Sequence, residues 1–125
     1  MKALSNLAPH AHWLLRIGLA SVFMYHGVGK FGDLAGAAEM MQMPVFMIAI
    51  LATVEVGGSL FILAGAVAKE WMTRLAGLGF AGIMIGAIIM VHAQHGWNSI
   101  GNMGMEFQVS LMLTSVYFVI VGNDN

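Results

Sequence analysis

The sequence predicts an all-α membrane protein, a transmembrane four-helix bundle with antiparallel up-down topology. Of its 125 residues, 59% are hydrophobic and only 9% are charged, and the mean hydropathy is +0.83. A membrane-spanning helix needs about 20 mainly apolar residues. Such windows lie near 13–31, 45–67, 75–93 and 106–122. Because the connections between them are short, we expect residues 1–125 to form a single membrane domain with antiparallel neighbours.

The first two windows are separated by a connection that has its own helical character. The first window carries Arg16 and Lys30 and lacks a small-residue cleavage site, so we expect a retained helix rather than a secretion signal. The segment 32–43 (GDLAGAAEMMQM) predicts a short helical or surface-lying connection. Pro44 suits the start of the second helix, because its missing N–H would have no helical partner there.

Glycines mark the second half of the chain. Gly82 and Gly86 form a GxxxG pattern in the third window, which favours close approach of two helices in lipid. The segment 96–104, with turn-forming glycines and asparagines, separates the third helix from the fourth.

Charge and composition set the orientation and exclude several classes of function. Placing the N-terminus and the 68–74 connection on one side collects four of the five Lys and Arg residues there, and the positive-inside rule then puts both termini in the cytoplasm. The net charge is −1 with no basic run, which predicts no nucleic-acid partner. Cysteine is absent, so the chain has no thiolate nucleophile, thiolate metal ligand or disulfide.

Ionisable residues inside apolar stretches are the strongest pointers to function, because they are costly in lipid unless they meet partners. Arg16 and Lys30 lie fourteen residues apart on the first helix, which is roughly 21 Å along its axis. They therefore belong near opposite membrane faces. Antiparallel packing would gather a set of ionisable side chains on the side of the bundle opposite the termini, namely His26, Lys30, His92, His95 and Glu106. Glu55 would lie deeper in the bundle, below this set.

This set predicts a polar pocket for a quinone or another small redox-linked molecule. His26 or Lys30 would donate to a quinone carbonyl, while Glu55 or Glu106 would relay protons. Lys30, Glu55 and Glu106 are therefore the candidate catalytic residues. The residues provide no source of electrons and no site for a covalently bound cofactor, so partner subunits are expected. The alternative is structural: Lys30 pairs with a glutamate and the histidines bind backbone carbonyls, which fixes helix register.

Three other interpretations stay open from the residues alone. The long side chain of Arg16 would reach the cytoplasmic headgroups. His92 and His95, one helical turn apart and near methionine-rich connections, would bind Cu(I), since thioether and imidazole groups suit that ion. A haem held between His26 and His92 is a further alternative.

Several segments resemble the DoxX family of small four-helix membrane proteins. They are the 16–31 segment RIGLASVFMYHGVGKF, the 55–65 segment EVGGSLFILAG, the Val91-His92 end of the third helix and Glu106 at the start of the fourth. The resemblance implies a subunit connected with respiratory or sulfur redox chemistry, including thiosulfate:quinone oxidoreductase in some members and association with partner proteins in others. It makes five positions the ones to test: Arg16, Lys30, Glu55, His92 and Glu106.

The sequence thus predicts a DoxX-like subunit of a redox complex in a bacterial or archaeal cytoplasmic membrane. Substrate binding is assigned to His26, Lys30, His92 and Arg16. Whether this chain itself is catalytic, and whether copies form a homo-oligomer, stays open at this point. The alternatives are a noncatalytic packing or assembly subunit and a copper-binding membrane protein.

Overall fold

The computed structural model describes residues 1–124, and those residues form helices and turns without a strand. The predicted all-α class is confirmed. The α-helices in chain order are α1 (Lys2–Ser5), α2 (His12–Gly32), α3 (Leu34–Met41), α4 (Val45–Ala64), α5 (Glu70–Ala87) and α6 (Glu106–Val121). Helix α5 continues as a π-helix (Ile88–His92) and a 3₁₀ turn (Ala93–His95). A further 3₁₀ turn spans Ala8–His10, before α2.

The four long helices pack in chain order, α2 on α4, α4 on α5 and α5 on α6. Consecutive members run antiparallel. The first turns of α2 meet the end of α4, where Arg16 contacts Ile62, and the last turn of α2 meets the middle of α4, where Lys30 contacts Glu55. The start of α5 likewise meets the end of α6, through Arg74 and Val119. The short helix α3 covers part of α4.

An aromatic stack forms the centre of the core. The rings of Phe23 on α2 and Phe80 on α5 are parallel within 3° and their centroids lie 3.9 Å apart. Gly58 on α4 makes room for the stack, because a Cβ there would lie 2.6 Å from Phe80 Cε1. Leu19, Ile62 and Phe118 are also buried in this core. Close packing at Gly58 therefore brings α2, α4 and α5 into contact in the core.

The outer surface is apolar, which is unusual for a protein that lives in water. Exposed large side chains include Leu14, Leu78, Ile89, Leu113 and Ile120, which come from three of the long helices. Within residues 1–124, two helices are long and apolar enough to cross a membrane, Val45–Ala64 and the continuous stretch Glu70–His95, and Glu106–Val121 is apolar but shorter. The four predicted windows coincide with α2, α4, α5 and α6.

Small residues are used differently from the prediction. A Cβ placed on Gly82 or Gly86 would meet nothing within 4 Å, so the GxxxG pair packs against no other described helix. Close approach occurs instead at Gly77, where a Cβ would lie 2.6 Å from the Ser115 carbonyl oxygen of α6. The connections follow the sequence prediction: α3 lies within 32–43, and residues 96–104 contain no helix, with a turn at 100–102.

Candidate functional site

An ion pair joins α2 to the middle of α4. Lys30 Nζ lies 2.7 Å from Glu55 Oε1, and the side chains are 17% and 4% exposed. Gly27, one turn earlier on α2, lets the helices meet here, since a Cβ on it would lie 3.0 Å from Glu55 Cβ and 3.1 Å from the Ala52 carbonyl oxygen. The structure therefore brings together two of the predicted site residues, and a glycine sets the helix separation that allows it.

Glu55 depends on Lys30 for compensation of its charge. Its Oε1 atom is buried and receives no aligned hydrogen bond from any residue in the described range, so the contact with Lys30 is an ion pair without hydrogen-bond geometry. Buried carboxylates usually accept several hydrogen bonds. The charge of Glu55 is therefore balanced by a single cation, Lys30, rather than by a network of hydrogen bonds.

Lys30 also lines an open groove between α2 and α3. The groove has a volume of about 720 Å³, a size that suits a small organic ligand. We call it the α2/α3 groove. It is lined by Met24, Tyr25, His26, Val28, Gly29 and Lys30 from α2, and by Ala37, Met40 and Met41 from α3.

The groove combines a few polar groups with polarizable apolar walls. His26 is exposed and its ring packs edge-to-face against the Tyr25 ring, with centroids 5.6 Å apart. Met40 is 80% exposed, so it is not filler of the core. Thioether sulfurs make favourable contacts with aromatic rings. An imidazole, an ammonium group and methionine sulfurs around one opening can therefore accept a flat ring that carries a carbonyl.

Glu106 has its contacts in the connection before α6 and none with the Lys30–Glu55 pair. Its Oε1 accepts a hydrogen bond from the backbone N–H of Ser99 at 3.0 Å. The Ser99 hydroxyl donates to the Gly104 carbonyl at 3.1 Å and accepts from the Phe107 N–H at 3.2 Å. These bonds close the 97–106 connection onto the start of α6. The predicted proton-relay role of Glu106 stays a prediction.

His92 belongs to the same connection. It lies in the π-helical end of the α5 stretch, and its Nδ1 donates to the Met103 carbonyl oxygen at 2.8 Å. His95 is exposed in the following 3₁₀ turn. Residues 1–124 contain no group of three His, Cys, Asp or Glu side chains that would hold a metal ion. Copper binding by His92 and His95 stays a prediction.

Arg16 lies at the other end of the fold and is completely buried. Its Nη1 donates to the Ile62 carbonyl oxygen at 2.6 Å and to Thr73 Oγ1 at 2.9 Å, and its Nη2 donates to Asn123 Oδ1 at 3.0 Å. The guanidinium carbon lies 4.9 Å from the centroid of the Phe118 ring. The interpretation that Arg16 reaches the headgroups is wrong, because these buried acceptors hold its side chain inside the protein.

His12 completes the contacts of Arg16. Its Nδ1 accepts a hydrogen bond from Arg16 Nε at 2.8 Å, which requires a neutral ring. His12 precedes the apolar window 13–31. Partial burial, followed by the nearby charges of Arg16 and His10, lowers the pKa of His12 below its usual 6.5. The predicted role of Arg16 in substrate binding stays a prediction, and its position separates it from the α2/α3 groove.

Sequence reasoning did not identify two parts of this arrangement. Thr73 and Asn123 are ordinary polar residues near helix ends, yet Thr73 Oγ1 donates to Asn123 Oδ1 at 2.8 Å and Asn123 Nδ2 donates to the Gly65 carbonyl at 2.8 Å. No spacing in the sequence signals that pairing. The sequence also did not predict that Met24 and Met40 line the same groove as His26, because this grouping depends on how α3 packs beside α2.

The fold and the buried ion pair define an all-helical membrane protein with a lysine–glutamate pair beside an open groove. The model of the DoxX family matches residues 11–93, more than half of the chain. The chain belongs to the DoxX family. Its matched region contains Arg16, His26, Lys30, Glu55 and His92, while Glu106 lies beyond it. Comparison with curated proteins gave no match, and comparison with solved structures gave none either.

Proposed function

We propose that this protein is a membrane subunit of a respiratory or sulfur-linked redox complex and that its α2/α3 groove binds a quinone or a similar small redox-linked molecule. The observation that carries the proposal is that Lys30 both lines the groove and contacts Glu55 at 2.7 Å. An ammonium group that lines an open groove can donate a hydrogen bond to the carbonyl oxygen of a bound ligand. Membership in the DoxX family, whose members are often linked to redox functions, supports the same assignment.

The proposed chemistry divides between this chain and its partners. Reduction of a quinone to a quinol takes two electrons and two protons. This chain has no cysteine, and we assign electron supply to a partner subunit. Lys30 and His26 would bind the carbonyl oxygens, and Glu55 would exchange protons through Lys30. The function assigned to this chain is therefore ligand binding and proton exchange.

The membrane arrangement forms part of the proposal. We propose that α2, α4, the stretch from α5 to His95 and α6 all cross the bilayer as a four-helix bundle, with both termini in the cytoplasm. The apolar outer surface supports this arrangement, and so does the burial of Arg16 and Glu55 between helices, where their charges avoid lipid. The groove would then open on the side opposite the termini.

Binding of a short-chain quinone to the purified protein in lipid nanodiscs tests the proposal. Binding is measured by quenching of tryptophan fluorescence, relative to empty nanodiscs of the same lipid. We expect saturable binding that Lys30→Met weakens by about tenfold, which corresponds to the ~1.4 kcal/mol of one hydrogen bond from a charged donor. Lys69→Met is the matched control, because Lys69 is exposed at the opposite end of the fold. Equal affinity of the Lys30→Met and Lys69→Met proteins would reject the assignment.

A second candidate function is noncatalytic assembly of a larger complex. It is favoured by the outward-facing side of α5, where Gly82 and Gly86 meet no described residue and Leu78 and Ile85 are exposed. Purification of the complex from cells without this chain separates the two functions. Loss of assembly supports the second candidate, whereas an assembled complex that no longer reacts with quinone supports the first.

A further inference from the structure

The α2/α3 groove is lined by Lys30, the cationic member of the Lys30–Glu55 ion pair. Glu55, in contrast, is buried and is not among the lining residues. Lys30 and Glu55 have no other ion-pair partner among residues 1–124. A ligand in the groove would therefore contact a cation whose charge is already compensated, at 2.7 Å, by a buried anion.

The ammonium group keeps donors for a ligand without leaving Glu55. Lysine has three N–H donors and no acceptor, and the polar contact of Lys30 among the described residues is its ion pair with Glu55. A groove ligand with a carbonyl oxygen can accept one of these donors. Since the pair carries no net charge, a neutral ligand adds no uncompensated charge to a poorly solvated site, whereas an anionic ligand does.

We propose that Glu55 sets the charge selectivity of the α2/α3 groove. It acts through Lys30 and favours neutral carbonyl ligands over anionic analogues of the same size, without contacting the ligand itself. This inference rests on the proposed function, because it concerns the ligand that the groove would bind. Glu55 is thus a specificity-determining residue rather than a group that touches the reacting atoms.

Other ionisable groups near the groove do not provide the same balance. His26 lies on its wall and is exposed. Asp33 caps α3, where its Oδ1 accepts from the Gly36 N–H at 2.9 Å, and Glu39 is exposed on α3. Solvent and counterions screen exposed charges. The buried carboxylate of Glu55 therefore has the largest influence on the charge of the ligand.

Two naphthoquinones of nearly equal size test the inference in nanodiscs at neutral pH. They are 2-methyl-1,4-naphthoquinone, which is neutral, and 2-hydroxy-1,4-naphthoquinone, which is ionised. The measured quantity is the ratio of the anionic to the neutral affinity, corrected with empty nanodiscs. In Glu55→Gln we expect this ratio to rise at least about tenfold, which is ~1.4 kcal/mol. In Lys30→Gln, where the carboxylate is left alone, we expect it to fall.

The double variant Lys30→Gln/Glu55→Gln is the matched control, because it restores a neutral pair. Its ratio should return to within about threefold of the wild-type value. Opposite shifts in the two single variants are a result that loss of structure alone would not produce, and thermal unfolding of each protein shows whether it is folded. Ratios within twofold of wild type in both single variants would overturn the inference. Absence of binding of either probe to the wild-type protein would instead reject the proposed function.

Discussion

Arg16 Nη2 donates a hydrogen bond to Asn123 Oδ1 at 3.0 Å, although the two residues are 107 positions apart in the chain. The contact joins the first turns of α2 to the second residue after α6. Arg16 also binds the carbonyl oxygen of Ile62, near the end of α4, and Thr73 at the start of α5. The last four carbonyls of a helix have no partner within it, so a buried guanidinium with several donors can hold four helix ends together.

Replacement of Arg16 should therefore destabilise the whole fold. Arg16→Met leaves buried acceptors without a donor, and we expect a loss of about 2 to 4 kcal/mol in the free energy of unfolding. Thermal unfolding in detergent or nanodiscs, followed by tryptophan fluorescence, measures the change. Lys2→Met is the control, because it removes an exposed cation and should leave the melting temperature nearly unchanged. Equal melting temperatures for the two variants would contradict the role of Arg16.

Acidification should weaken the same network through His12. The neutral ring accepts the Arg16 N–H, and burial and nearby charge lower its pKa from 6.5. The unfolded state then takes up the proton first as the pH falls, so the stabilisation is fully present above the unfolded pKa and is lost below it. We expect a lower melting temperature at about pH 5.5 than at about pH 7.5.

Two variants separate His12 from the other histidines. His12→Gln keeps an acceptor oxygen but does not titrate, so the difference in melting temperature between the two pH values should shrink. His95→Gln removes an exposed histidine that has no part in the pKa of His12 and should retain the full difference. A pH effect that is the same in His12→Gln and in the wild-type protein would show that other groups cause it.

The close approach of α2 to α4 should depend on Gly27. A methyl group there would lie 2.8 Å from Val56 Cγ2 and 3.1 Å from the Ala52 carbonyl oxygen, and the backbone oxygen cannot move unless α4 moves. We expect Gly27→Ala to destabilise the protein by about 1 to 3 kcal/mol. Gly18→Ala, on the same helix with nothing within 4 Å, should be neutral or slightly stabilising. Thermal unfolding of the two variants makes the comparison, and equal stabilities would contradict the tight contact.

The sequence predicted the helices well because hydrophobic windows report burial or lipid exposure directly. The window near 45–67 corresponds to α4 (Val45–Ala64), and the window near 106–122 corresponds to α6 (Glu106–Val121). It also grouped Lys30 with Glu55 on the side opposite the termini, because consecutive helices were expected to run antiparallel, and it left open which glutamate would pair with Lys30; the structure pairs it with Glu55. Local pattern and simple topology were sufficient for these features.

The rest depended on tertiary contacts that no local pattern carries. The side chain of Arg16 looked suited to headgroups because its helix position is near one end, but Thr73 and Asn123 supply acceptors inside the protein. The Gly82/Gly86 pattern indicated helix packing without specifying a partner, and neither glycine packs closely against another described helix. Helical spacing fixes which residues share a face, whereas the neighbour of that face follows from the whole fold.

Glu106 offers the sharpest distinction between a structural and a chemical role. Its Oε1 accepts the Ser99 N–H at 3.0 Å, and the Ser99 hydroxyl binds both Gly104 and the start of α6. Glu106→Ala removes the acceptor, and we expect amide hydrogen exchange of Ser99 to speed up by about tenfold or more, which corresponds to ~1.4 kcal/mol of local stability. Glu106→Gln keeps an acceptor oxygen and should retain most of the protection.

Turnover of the assembled complex completes the test of Glu106. Glutamine cannot exchange a proton at neutral pH, so Glu106→Gln should leave quinone-linked turnover close to the wild-type rate if the residue only holds the 97–106 connection in place. A loss of about 100-fold in turnover, with Ser99 still protected from exchange, would instead assign Glu106 to proton transfer. Because the two readouts change independently, they separate a connection that is held by a carboxylate from a carboxylate that takes part in the reaction.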